Sequence, residues 1–120
     1  MTYDPDNVFA KILRDEIPSH RVYEDDEFVA FRDIAPLAPT HILLIPRLVD
    51  GRALTAASEL ADADAGMVGR MVVTATKIAR DLGLDASGYR LVLNSGADAG
   101  QDVLHIHMHI LGGKRLGRLG

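Results

Sequence analysis

Two hydrophobic periods run through the chain, and the helical one marks two segments. Within residues 7–14, apolar side chains recur on one side at helical spacing, and the pattern stops before Pro18. Residues 62–83 carry apolar side chains at steps of three and four and end at Gly83, which suits a left-handed helix C-cap. The pattern predicts one short and one long helix. The apolar positions of the long helix are Met67, Val68, Met71, Val72, Ala75, Ile78, Ala79 and Leu82.

Five further segments show the composition or the alternation typical of strands. Asp25-Asp26 supplies turn chemistry between the first two, because Asp side chains bond nearby backbone N–H groups, so these two are expected to form a hairpin. The third segment is apolar after its first residue, which indicates a strand buried on both faces. The predicted strands are Arg21–Tyr23, Glu27–Phe31, His41–Ile45, Tyr89–Leu93 and Val103–Leu111.

The predicted order is one helix, three strands, one helix and two strands. Residues 35–39, with two prolines, and residues 94–100, with two glycines, are expected loops, and a helical turn is expected within 52–59. Strands joined by short turns pair antiparallel, and the long helix must cover one face of their sheet. We therefore predict an α+β fold with segregated elements.

The composition excludes several classes of protein. The chain is 48% hydrophobic and 25% charged, which argues against disorder, and its net charge of −4 is a poor footprint for general nucleic-acid binding. It has no Cys, which excludes disulfides and thiolate metal sites. Its 120 residues predict a single domain over 1–120, with flexible tails at 1–7 and 114–120.

Targeting signals are not apparent in the sequence. The first 12 residues are polar and broken by Pro5, unlike a signal peptide. The longest apolar run, 42–46, is far shorter than the ~20 residues of a membrane helix. We therefore expect a soluble cytoplasmic protein without a membrane partner.

The strongest chemical signal is a group of three alternating histidines, His105, His107 and His109. Side chains alternate faces along a strand, so the three imidazoles are expected to share one face. The apolar residues between and after them are expected to face the core under the long helix. His20 stands by itself in the sequence, and we assign it no role.

Three interpretations of this group are open. Two imidazoles can chelate a metal, but same-face residues lie roughly 6.6–6.8 Å apart, so bringing three to one ion requires sharp bending. The group can also be structural. Finally, imidazole titrates near pH 6.5, so a row of them can divide the roles of neutral nucleophile and charged donor along a bound phosphate.

The same residues resemble a known family. His105-Ile-His-Met-His-Ile-Leu111 is similar to the signature of the histidine-triad superfamily, and Gly112-Gly113 resembles its nucleotide-binding branch rather than its dinucleoside-polyphosphate hydrolases. Residues 9–18, 33–41 and 94–101 are also similar to that branch, so the resemblance covers about 8–113. It implies a five-stranded antiparallel sheet with one long and one short helix, and a homodimer that continues the sheet across both subunits.

The resemblance also implies an activity, the hydrolysis of purine nucleoside 5′-monophosphates, such as AMP, that carry an amine or acyl leaving group. On that pattern His107 attacks the α-phosphorus, and a backbone carbonyl, that of His105, holds its other ring nitrogen. His109 contacts the phosphoryl oxygens and His41 completes the set. The family chemistry needs no metal and no cofactor.

For the nucleotide, the resemblance places Asp33 on the ribose hydroxyls and Asn94 on the phosphate, with backbone N–H groups of 100–103 aimed at the anion. The base slot should be apolar, although the residues that match it fit an ordinary core equally well. Asp102 and Val103 are also expected to contact the nucleotide. The apolar candidates are Phe9, Ile12, Phe31 and Ile34.

Two features depart from the family pattern. Asp102 stands where the best-known members have a hydroxyl residue, and a carboxylate repels phosphate, so either its side chain turns away or, as we hypothesise, it meets a cationic leaving amine. The end of the chain carries Lys114, Arg115 and Arg118 instead of a Trp-Pro-Pro segment, so the family's leaving-group preference does not transfer. Two other functions remain as alternatives: a purine-nucleotide-binding module without required turnover, and a metal-dependent hydrolase built on the histidines.

Overall fold

A computed structural model of the protein describes residues 2–47 and 53–120. In these residues, two helices and five strands follow one another in the predicted order. Single turns of 3₁₀ helix lie in two of the connections: Ala57–Glu59 and Asp62–Asp64 between the third strand and the long helix, and Ala97–Ala99 between the last two strands. The helices are α1 (Val8–Leu13) and α2 (Ala65–Asp81), and the strands are β1 (Arg21–Glu24), β2 (Phe28–Arg32), β3 (Thr40–Pro46), β4 (Tyr89–Val92) and β5 (Met108–Gly112).

Short polar side chains begin the first helix and close the first hairpin. Asn7 is the N-cap of α1, and its Oδ1 accepts a hydrogen bond from the N–H of Ala10 at 2.9 Å. Asp25 Oδ1 accepts hydrogen bonds from the N–H groups of Glu27 and Phe28, each at 2.7 Å, and so stabilises the turn between β1 and β2. The predicted short helix and hairpin are confirmed.

The five strands form one antiparallel sheet in the order β1-β2-β3-β5-β4. The last strand of the chain lies between β3 and β4. In that register His41 pairs with Leu111, and Leu43 pairs with His109. The α+β class and the five-stranded antiparallel sheet are confirmed, and the pairing of β3 with β5 brings histidines from distant parts of the chain together.

Both faces of the central strands are buried, as predicted for the third strand segment. Even-numbered residues of β2, β3 and β5 pack under α2, whereas odd-numbered residues of β2 and β3 pack against α1. This division follows from the two-residue repeat of a strand. The cluster under α2 includes Phe28, Ala30, Ile42, Leu44, Met71, Ala75, Ile78, Met108 and Ile110, and the cluster against α1 contains Phe9, Ile12, Val29, Phe31, Leu43 and Ile45.

The long helix ends as predicted and begins slightly later. Residues 62–64 form a 3₁₀ turn that leads into α2, and Asp64 Oδ2 accepts from the N–H of Ala61 at 2.9 Å. Gly83 has φ 75°, the left-handed conformation expected after the helix. In the described part of the chain, neither helix has the length and apolar character needed to cross a membrane.

Two predictions about local structure need correction. The strand predicted over Val103–Leu111 begins only at Met108, because the N–H of Ile106 bonds to the carbonyl of Leu54 at 3.0 Å and not to a neighbouring strand of the sheet. Of the helical turn predicted within 52–59, residue 52 lies outside the described residues, and a 3₁₀ turn forms only at Ala57–Glu59.

Candidate active site

A cavity of about 300 Å³ opens on the sheet face that α1 partly covers. Most of its lining is apolar, and its polar side chains come from the segment after α1, the end of β2, the segment around residue 102 and the histidine group. This combination of an apolar slot with a few convergent polar groups is typical of a small-molecule site. The lining residues are Val8, Phe9, Ile12, Ile17, Pro18, Ser19, Phe31, Arg32, Asp33, Ile34, Leu43, Gly100, Asp102, Val103, His107 and His109.

His107 lies at the inner end of this cavity and is buried. Its Nδ1 lies 2.7 Å from the carbonyl oxygen of His105, and a carbonyl only accepts, so Nδ1 carries the proton and donates. The edge-to-face ring of Phe9, 4.9 Å away between centroids, supports the imidazole from the side. The carbonyl contact expected from the family resemblance is present in the structure.

His41 and His109 form a second pair. Leu37 donates its backbone N–H to Nδ1 of His41 at 3.1 Å, so the proton of neutral His41 resides on Nε2. That Nε2 lies 2.8 Å from Nδ1 of His109 and 3.5 Å from a carboxylate oxygen of Asp33. His41 does not line the cavity itself, but it fixes the ring of His109, which does.

These contacts give the two cavity imidazoles opposite properties at Nε2. His107 donates from Nδ1, so its Nε2 bears a free lone pair when the ring is neutral. His109 accepts at Nδ1, so its Nε2 bears the proton and is a donor. The two ring centroids are 5.0 Å apart. A nucleophilic nitrogen and a hydrogen-bond donor therefore lie side by side in one cavity.

The protonation of both rings follows from their surroundings. Burial lowers the pKa of His107, although the hydrogen bond to the His105 carbonyl and the charges of Asp102 and Asp33 oppose this. Burial, together with the neighbouring His107 and His41, lowers the pKa of His109 to about 4. Burial also lowers the pKa of His41, with Asp33 opposing. The rings are therefore neutral near pH 7, as the tautomers above require.

The His105 ring lies 6.1 Å between centroids from Phe9, whose ring also contacts His107, but it is covered rather than open to the cavity. The side chain of His105 is 0% exposed, and its Nε2 donates to the carbonyl of Pro46 at 3.1 Å. Within the described chain, His105 lies outside the cavity lining, and it contributes to the site through its backbone carbonyl.

Most of the residues expected to bind a nucleotide do meet in the cavity. Of the described residues, Asn94 is half-buried beyond the end of β4 and lies outside the lining. Ile34 lies at the surface with its side chain fully exposed. The residues that the structure brings together as expected are Phe9, Ile12, Phe31, Ile34, Asp33, Asp102, Val103, His107 and His109.

Other lining residues had not been singled out from the sequence. Leu43 lies two residues after His41 on β3, so strand alternation offers a signal for it. Arg32 precedes Asp33 at the end of β2 and adds a cation to the cavity. Ile17, Pro18 and Ser19 follow α1 in an irregular segment for which no periodicity gives a signal.

Gln101 is a further residue whose importance the sequence did not reveal. It is buried, and its side-chain N–H₂ donates to the carbonyls of Thr55 and Val103 at 2.6 and 3.0 Å. Its side-chain oxygen accepts from the N–H of Gly96 at 2.9 Å. One carboxamide thereby ties together both ends of the loop that borders the cavity at Gly100, which has φ 83°.

The metal interpretation takes a different form in the structure. Among the described residues, Asp33, His41 and His109 present ligand atoms within 4.8 Å of one another, whereas the sequence had suggested a pair from the alternating histidines. The two imidazole nitrogens of this cluster are 2.8 Å apart and share a hydrogen bond. A metal ion bound here has to displace that proton and separate the rings.

Comparison with known proteins agrees with this geometry. The HIT domain family model matches residues 14–116. A purine nucleoside phosphoramidase of Escherichia coli (strain K12) is 46% identical over 112 residues, 93% of this chain and 91% of that protein. A 14 kDa zinc-binding protein of Brassica juncea is 46% identical over 111 residues, 92% of this chain and 96% of that protein.

The likeness extends to solved structures. A histidine triad protein from Clostridium difficile superposes with a TM-score of 0.88 at 39% identity, covering 99% of this chain and all of that one. The match spans the sheet, both helices and the histidine group. The resemblance drawn from the histidine motif is thus confirmed, and the chain belongs to the HIT domain family.

Proposed function

We propose that the protein hydrolyses conjugates of purine nucleoside 5′-monophosphates that carry an amine or acyl leaving group, without a metal or cofactor. The E. coli relative named a purine nucleoside phosphoramidase supports this class of substrate. The observation that carries the proposal is the hydrogen bond from Nδ1 of His107 to the carbonyl of His105, because it leaves the cavity-facing nitrogen free to attack phosphorus.

The reaction proceeds in two displacements. The Nε2 lone pair of His107 forms a bond to the α-phosphorus, and the bond from phosphorus to the leaving group breaks; a leaving amine takes up a proton from solvent, whereas an acyl group leaves as the carboxylate. Water then attacks the phosphorus and gives up one proton to solvent, the bond between phosphorus and Nε2 breaks, and the nucleoside monophosphate leaves neutral His107. His109 donates its Nε2–H to a phosphoryl oxygen, and such a fixed donor stabilises the charge that develops in both transition states.

The nucleoside occupies the apolar end of the cavity in this proposal. Phe9, Ile12 and Phe31 form buried walls suited to the flat face of a purine, and the exposed Ile34 adds to the lining. These apolar side chains do not distinguish adenine from guanine. Asp33 accepts from the ribose hydroxyls. The roles of Asn94 on the phosphate and of the backbone of 100–103 stay predictions.

Asp102 is proposed to favour cationic leaving groups. It is an exposed residue of the cavity lining, and its charge opposes the lowering of the pKa of His107 by burial, which supports an electrostatic influence of Asp102 on the site. Replacing Asp102 with Ser should lower kcat/KM for an AMP conjugate of a cationic amine more than for one of a neutral amine. An equal effect on both conjugates contradicts this role.

We also propose that the protein acts as a homodimer in the cytoplasm. β4 lies at the end of the sheet, so one edge of its backbone has no strand partner among residues 2–47 and 53–120. On α2, Val72 and Val73 are exposed apolar residues that a second copy can cover. Sedimentation equilibrium should give twice the chain mass, and Val73→Glu should shift it toward the monomer; a monomeric wild-type chain refutes the dimer.

The activity is tested by measuring AMP release from adenosine 5′-phosphoramidate with excess EDTA, for the wild type and for His107→Ala. Turnover should survive EDTA and vanish in the variant. His20→Ala is the matched control, because His20 is an exposed imidazole outside the cavity lining among the described residues. It should leave kcat and KM unchanged.

Each other outcome selects one of the alternatives. Binding of AMP without turnover in the wild type favours a nucleotide-binding module. Turnover abolished by EDTA favours a metal-dependent hydrolase, for which Asp33, His41 and His109 are the ligands to replace. Turnover retained by His107→Ala removes the nucleophile from this proposal.

A further inference from the structure

Tyr3, which precedes the first helix, contacts the histidine group from outside the cavity. Its hydroxyl lies 3.0 Å from Nδ1 of His105, and the two ring centroids are 5.7 Å apart. Among the described residues Tyr3 does not line the cavity, and neither the sequence motif nor the proposed reaction uses it.

The direction of this hydrogen bond follows from the other side of the His105 ring. Nε2 faces the carbonyl of Pro46 at 3.1 Å, and a carbonyl only accepts, so Nε2 carries the ring's proton. Burial lowers the pKa of His105 to about 4, so the ring is neutral near pH 7 and its Nδ1 bears a lone pair. Tyr3 is therefore the donor, and burial raises the pKa of its hydroxyl, against the effect of Asn7, so it keeps its proton.

The backbone around His105 depends on such anchors because it is not part of a strand. β5 begins at Met108, so the ladder of the sheet does not hold residues 105–107. The N–H of Ile106 bonds to Leu54, and the His105 ring is fixed at both nitrogens, by Tyr3 and by Pro46. The same residue supplies the carbonyl that receives Nδ1–H of His107 at 2.7 Å.

We propose that Tyr3 is a positioning residue for the nucleophile, acting through the His105 ring and carbonyl to hold His107 in the tautomer that presents a bare Nε2. This inference rests on the proposed nucleophilic role of His107. Without the Tyr3 hydroxyl, Nδ1 of His105 has lost its donor, so the ring can exchange tautomers and turn, and the carbonyl position loosens. Because the change affects the orientation of His107, it should lower kcat rather than weaken substrate binding.

The test compares Tyr3→Phe, which keeps the ring and removes the hydroxyl, with Tyr23→Phe. Tyr23 is matched in chemistry, since its hydroxyl donates to Asp25 in the hairpin between β1 and β2. With adenosine 5′-phosphoramidate, Tyr3→Phe should lower kcat about tenfold, equivalent to about 1.4 kcal/mol of activation free energy, with KM nearly unchanged. Tyr23→Phe should change neither constant.

A second readout does not depend on turnover. In ¹⁵N NMR of the imidazoles, wild-type His107 should show a protonated Nδ1 and a bare Nε2, and Tyr3→Phe should reduce the population of that tautomer. An unchanged kcat, a rise in KM alone, or a fall in kcat with the His107 tautomer intact overturns the inference.

A double-mutant cycle adds a third check. With His105→Leu the Tyr3 hydroxyl has no acceptor, so adding Tyr3→Phe should not lower kcat any further. An equal fall in kcat in the wild-type and His105→Leu backgrounds overturns the inference.

Failure of the proposed function gives a different pattern. If His107→Ala keeps its turnover, the nucleophile is wrong, and the positioning of His107 is then judged by the tautomer measurement alone. If His107→Ala is inactive while Tyr3→Phe has wild-type kcat and tautomer, only the role of Tyr3 is refuted.

Discussion

Acidification should destabilise the fold through His105. This imidazole is 0% exposed, and burial lowers its pKa from 6.5 to about 4. In the unfolded chain the ring is in water and takes up a proton near its ordinary pKa. Between these two pKa values the unfolded state binds more protons than the folded state. The contribution of His105 to the free energy of unfolding is therefore fully present above about pH 6.5 and is lost as the pH falls toward 4.

The size of the effect follows from the same two values. Each pKa unit corresponds to about 1.4 kcal/mol, so the full difference for His105 amounts to about 3 kcal/mol. Lowering the pH from about 7 to about 4.5 should remove most of this contribution, about 2 kcal/mol of the free energy of unfolding. His41, His107 and His109 also have lowered pKa values, so the loss in the wild type should exceed this amount.

His105→Gln isolates the contribution of this one ring. A Gln side chain is neutral at both pH values, can donate to the Pro46 carbonyl, and can accept from Tyr3. Urea unfolding followed by circular dichroism, at about pH 7 and about pH 4.5, should show a pH-dependent loss that is smaller by about 2 kcal/mol in the variant. His20→Gln is the control, because it removes an exposed imidazole without opening the core. The reasoning is refuted if wild type and His105→Gln lose the same free energy on acidification.

Two further predictions concern a backbone turn and the acid limb of activity. Gly113 has φ 93°, and an added Cβ would lie 2.9 Å from a carbon of Pro39, so Gly113→Ala should lower the free energy of unfolding by about 1–3 kcal/mol. Gly88→Ala, at φ 105° with open space for a Cβ, should cost less in the same urea measurement, and equal costs would contradict the role of the contact. The charge of Asp102 opposes the lowering of the pKa of His107 by burial, and the proposed reaction needs a neutral His107, so Asp102→Asn should move the acid limb of kcat/KM to lower pH by roughly half a unit. A limb that stays in place or moves to higher pH contradicts this.

Sequence periodicity predicted the elements well where the pattern was local. The apolar face of α2 and the inward-facing residues of the strands lie in the core as expected, and Gly83 follows the long helix in the left-handed conformation. The order of strands is not a local property, since β5 reaches β3 across the whole of α2. The hydrogen bond of Ile106 to Leu54, just before β5 begins, is likewise between distant segments.

The site was predictable to the extent that its residues carry a motif. His107 and His109 do meet in the cavity, whereas His105 is buried and, within the described chain, lies outside the cavity lining, which the strand pattern alone does not reveal. His41 was assigned through the family resemblance, and only the pairing of β3 with β5 shows that it orients His109. Tyr3 has no motif at all, since its contact with His105 spans 102 residues.

The position of β5 between β3 and β4 has a consequence for biosynthesis. A ribosome adds about 5–20 residues per second, and β1 to β3 can pair as soon as they emerge. β4 then has no neighbour until residues 108–112 appear, because β5 is the strand to which it bonds. The strand that completes the sheet also carries His109, so a nascent chain gains its closed core and this cavity-lining imidazole in the same late step.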